Sequence, residues 1–68
     1  MVIHHLLPRF VADAAPVPLA VDLAWLLRRA QLPSLFWAGA CEPRWKGFVR
    51  PLSSLRVAQG DVLLTHQV

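Results

Sequence analysis

The chain reads as an α+β domain: one principal helix, over about residues 18–31, packed on a small three- or four-stranded, mainly antiparallel sheet that ends in a C-terminal β-hairpin. Three observations predict it. The stretch from Pro16 to Leu32, PVPLAVDLAWLLRRAQL, carries apolar residues at helical spacing between prolines. Short runs before and after it are apolar and β-compatible, and Gly60-Asp61 separates two β-rich runs further on. At 68 residues the chain forms a single domain, 1–68.

Val2 to Leu7 (VIHHLL) is expected to be a strand closed by Pro8, with Val2, His4 and Leu6 on one face and Ile3, His5 and Leu7 on the other. Phe10 to Ala15 connects it to the helix. Pro16 and Pro18 preset φ at the helix start, where no backbone N–H is needed, and Pro33 forces the end. At about 100° per residue Leu19, Leu23, Leu26, Leu27 and Ala30 gather on one side with Ala20 and Ala24 beside them, which is the expected core face, while Asp22 and Arg29 share a narrow polar edge. Val21, Trp25 and Arg28 form a second, partly apolar side. A helix apolar on nearly all sides is buried twice or touches a partner.

Ser34 to Ala40 (SLFWAGA) is a buried strand or a further helical turn, since periodicity does not separate these in a short run. Arg44 to Leu52 (RWKGFVRPL) alternates as a strand, with Arg44, Lys46, Phe48 and Arg50 on one face, and Pro51 places it at an edge. Leu55 to Ala58 and Val62 to Val68 form the expected hairpin.

Composition narrows the function. A core in this size range supplies on the order of 3–5 kcal/mol, and small proteins often add disulfides, a metal or association. With Cys41 alone no intrachain disulfide forms, which points to a reducing, cytoplasmic setting. No run reaches the roughly 18 uncharged apolar residues of a membrane span, and no basic residue precedes Arg9 as a secretory signal requires. The 56% hydrophobic content, high for a short chain without staples, favours association. Residues 1–43 balance Arg9, Arg28 and Arg29 against Asp13, Asp22 and Glu42. Arg44, Lys46, Arg50 and Arg56 against Asp61 therefore carry the whole net charge of +3.

No catalytic constellation or cofactor fingerprint emerges. The ligand types His4, His5, Cys41 and His66 lack metal-site spacing, because adjacent histidines on a strand point to opposite faces. Cys41 with His5 or His66 as base has no sequence feature fixing its geometry. The expected function is a non-enzymatic protein–protein interaction module, an accessory or regulatory protein that self-associates or docks on a larger protein. It would use Val21 and Trp25 with Arg28 and Arg29 at the rim, and take no cofactor, metal or small-molecule substrate. The alternative is a nucleic-acid-binding domain using the strand face of Arg44, Lys46, Phe48 and Arg50, joined by Arg56, whose cations would release counterions while the ring stacks on a base.

Overall fold

The computed structural model describes residues 1–11, 13, 15 and 17–66; Pro16, and residues 67–68 of the second expected hairpin run, lie outside them. Strand β1 (Ile3–Phe10) leads to helix α1 (Val17–Arg29), and β2 (Ser34–Cys41), β3 (Val49–Pro51) and β4 (Val62–Thr65) follow. They form one sheet in the order β3-β2-β1-β4. Every neighbouring pair is parallel. The mainly antiparallel sheet expected from the sequence is therefore not the one that forms.

The reason lies in what connects and what covers the strands. Helix α1 returns the chain to the end of the sheet where β1 began, so β2 runs alongside β1 in the same direction. Strands covered on both faces read as continuous runs without polar alternation, as LFWA does, and in IHHLL both neighbouring histidines are buried, one on each face. The expected hairpin is also absent: Leu55 to Ala58 is not a strand, and β4 pairs with β1 from Ile3↔Val62 to Leu6↔Thr65. Gly60 does make a turn, at φ 91, a value glycine adopts at little cost. The Asp61 carboxylate fastens that turn by accepting the Ala58 N–H (2.9 Å) and the Val2 N–H (3.0 Å). The row Arg44 to Leu52 is likewise interrupted, because Pro43–Trp45 winds into a 3-10 turn and only Val49–Pro51 joins the sheet.

Helix α1 lies where the spacing predicts it but rests on a different face. Val17 and Ala20 are buried and Val21 and Ala24 pack against the core, whereas Leu19 and Leu26 of the expected core face are 73% and 61% exposed. Aromatic rings already occupy the space above the sheet: Phe36 meets Phe10 and Phe48 at centroid distances of 5.9 and 5.1 Å. Small side chains let the helix approach that layer, leaving Leu19 and Leu26 outside and Leu23 and Leu27 half-buried. The helix closes before Pro33 through a Schellman arrangement, Leu32 N–H to the Leu27 carbonyl (2.8 Å) and Gln31 N–H to that of Arg28 (2.9 Å), with Gln31 at φ 64.

The opposite face of the sheet has no α-helix among the described residues. Residues 52–61 carry the chain from the β3 edge to the β4 edge, with Leu52 near Gly39 and Asp61 against His4. A Cβ at Gly39 would stand 3.0 Å from the Pro8 carbonyl oxygen, so a side chain there would force the β1 backbone to yield by a few tenths of an ångström. On this face Trp37 is buried.

Candidate functional site

Where α1 ends above the β3 edge of the sheet, it leaves an open cleft of about 580 Å³. Val21, Ala24 and Phe36 line it beside Trp25 and Phe48, large rings that remain 59% and 51% exposed. Arg28 is the cleft's cation on this side of the sheet; Arg50 borders the cleft but its guanidinium lies on the face away from α1, and no acidic residue lines the cleft. Each guanidinium stacks on an indole, Arg28 over Trp25 at 5.6 Å and Arg50 over Trp37 at 5.7 Å. Among the described residues neither has a carboxylate partner, since the ion pairs are His4–Asp61 and Arg44–Glu42. Such a cleft suits an apolar group.

Two histidine networks hold the sheet beside it. On the face away from α1, the Trp37 Nε1–H donates to His4 Nδ1 at 2.9 Å. An indole N–H only donates, so His4 Nδ1 presents its lone pair, and the proton on Nε2 is donated to Asp61 Oδ2 at 2.9 Å. The bonds from His4, Ala58 and Val2 hold the Asp61 carboxyl at about 2, below its ordinary 3.8. Trp37→Phe removes the indole donor and leaves the buried Nδ1 without a partner. It should lower the free energy of urea unfolding by about 1–2 kcal/mol; an unchanged midpoint would remove the chain's supporting role.

On the helix side His5 Nδ1 lies 2.9 Å from His66 Nε2, and the ring stacks on Phe36 at 4.8 Å. His5 Nε2 is buried without a partner. An unpaired lone pair there is less costly than an unpaired N–H, so His5 is assigned as the donor to His66. Burial, then the neighbouring His66 and His4, lowers the His5 pKa from 6.5 to about 4, and burial lowers that of His66.

The residues singled out in the sequence divide unevenly. Val21, Trp25 and Arg28 meet Phe48 in the cleft, joining parts of two separate expectations, while Arg50 borders it with its guanidinium over Trp37 on the other face. Arg29 is exposed and outside the lining. The basic strand face does not form: Arg44 sits in the 3-10 turn against Glu42 (3.4 Å), Lys46 is in the following turn, and Arg56 lies in the crossing segment and donates to the Leu55 carbonyl. His4 and His5 take opposite faces, and no group of three potential metal ligands occurs among the described residues. Cys41 pairs in register with Phe10, five positions along the strand from His5, on the order of 16 Å away. Sequence reasoning did not find the Asp61–His4–Trp37 chain. Its signal was two polar rings inside an apolar strand, which burial obliges to find partners.

No helix among the described residues is long and apolar enough to cross a membrane. No protein-family model, curated protein or solved structure matches the chain.

Proposed function

We propose that this chain is a non-enzymatic protein-interaction module, an accessory or regulatory protein that docks at the cleft between α1 and the β3 edge. The observation that carries this is the pair of large half-exposed rings, Trp25 and Phe48, in a cleft where Arg28, without a carboxylate partner among the described residues, stacks on Trp25. Exposed aromatics beside arginine are the side chains that most often dominate protein interfaces. The lone Cys41 agrees with a reducing, cytoplasmic setting. The occupant contributes the apolar surface that a chain of this size lacks.

A photo-crosslinking amino acid at position 25, introduced in cells that make the protein, tests the reading. It should yield a discrete protein adduct, while the same group at Arg56, exposed in the crossing segment, should yield little. Adducts of equal intensity at both positions, or none at position 25, would remove the cleft as a docking site.

A further inference from the structure

We infer that the outer face of α1 pairs antiparallel with the same face of a second copy of this chain, on a surface separate from the cleft and independent of what occupies it. The sheet takes up one side of the helix, through Val17, Ala20, Val21 and Ala24. At about 100° per residue, Leu19, Leu23, Leu26 and Ala30 form a stripe turned away from that side. Leu19, Leu26 and Ala30 are exposed and Leu23 is half-buried. Their alternating spacing of four and three residues is that of a helix–helix seam, in which each apolar side chain sits between those of a facing helix.

A second copy is selected because the stripe complements itself. With the two helices running in opposite directions, Leu23 of each lies level with Leu26 of the other and Leu19 with Ala30, so every leucine of the seam is matched. The charges obey the same register. Asp22 and Arg29 share the polar edge beside the stripe, and both are exposed. Neither has an opposite charge one turn away on its own helix or an ion-pair partner among the described residues. In the antiparallel pair the Asp22 carboxylate meets the Arg29 guanidinium of the other copy, about 3 Å from level along the axis. Two-fold symmetry makes that contact twice. A parallel pair loses it, because Asp22 and Arg29 then stand roughly 10 Å apart along the axis.

Other occupants fit this face less well. A bilayer would take the leucines while drawing Asp22, at their side, towards anionic lipid. A nucleic acid strand would find leucines where it needs cations. The residues that carry the chain's net charge of +3, Arg44, Lys46, Arg50 and Arg56 against Asp61, all lie outside α1, so two copies meet here without setting that charge across the seam. A seam of three turns is at the small end for a specific interface, and the dimer should therefore dissociate on dilution.

Sedimentation equilibrium from about 10 to 500 µM tests the proposal, over a range that brackets the affinity of so short a seam. The chain should pass from monomer to dimer across it. Leu26→Glu, which sets a charge in the seam at a position exposed in the monomer, should stay monomeric throughout. Asp22→Arg and Arg29→Asp should each weaken the dimer roughly tenfold, because two attractions become two repulsions. The double variant carrying both exchanges restores the opposite pairs and should return the dissociation constant to within about threefold of the wild type. Asp22 and Arg29 are exposed, so these variants keep the fold, as far-ultraviolet circular dichroism checks, even if Leu26→Glu does not. A monomer at every concentration overturns the proposal, as does a dimer that Leu26→Glu leaves intact. A double variant as weak as the single ones overturns the antiparallel register, and binding to phosphatidylserine vesicles in place of self-association puts a membrane on this face instead. The cleft is judged separately, since the crosslink at position 25 should be the same in Leu26→Glu as in the wild type.

Discussion

Phe36→Ala should abolish the cooperative unfolding transition at room temperature. The ring is buried at the centre of the sheet, stacked with His5 at 4.8 Å and in contact with Phe10 and Phe48. Truncating a buried phenylalanine costs about 3–5 kcal/mol through lost transfer energy and the cavity left behind. A core of this size provides a total of the same order. Urea titration followed by far-ultraviolet circular dichroism checks this, with Phe48→Ala as the comparison because that ring is 51% exposed. Phe48→Ala should keep a sigmoidal transition at a lower midpoint. An unshifted midpoint in Phe36→Ala would mean that the aromatic layer is not the main core.

The second large effect is acid sensitivity. His5 has a folded-state pKa of about 4 against an ordinary 6.5, so the unfolded chain takes up a proton more readily than the folded one between those values. Its contribution is fully present above pH 6.5 and is lost as pH falls to about 4, a change of roughly 3 kcal/mol at most. His66 acts in the same direction. Asp61 adds a further loss between its ordinary 3.8 and about 2, because protonation cancels the acceptor that binds Val2, Ala58 and His4. Urea midpoints measured from pH 7 downward should therefore fall steadily, and His5→Phe should flatten the slope above pH 4. A wild-type midpoint constant across that window would contradict the buried, uncharged histidine pair.

The sequence made some features legible and not others, for physical reasons. The helix was legible because three turns of good formers lie between prolines, and local rules decide such a segment. Its contact face was not. Periodicity ranks Leu19 and Leu26 as core residues, whereas the ring layer of Phe10, Phe36 and Phe48 admits only Val17, Ala20, Val21 and Ala24. Strand direction was also hidden, since it depends on pairings distant in the chain. Gly60-Asp61 has the composition of a hairpin turn, yet the Asp61 side chain is committed to Val2 and His4. Part of each expected site was legible: Trp25 and Arg28 from the helix, Phe48 from the basic row. Their meeting in one cleft required knowing that β3 lies at the sheet edge beneath the end of α1.

The pairing of β4 with β1 also governs the order in which the molecule can be assembled. The bonds that fasten the two strands join residues 57 and 59 positions apart, so one side of β1 stays open while nearly everything between is synthesised. Closing so long a loop costs entropy before any contact is gained, which places folding in the slow, milliseconds-to-seconds regime of topologies dominated by distant pairings. Until β4 arrives, the unsatisfied rim of β1 is the site most open to pairing with the wrong chain, and a nascent or crowded population is most exposed to aggregation there.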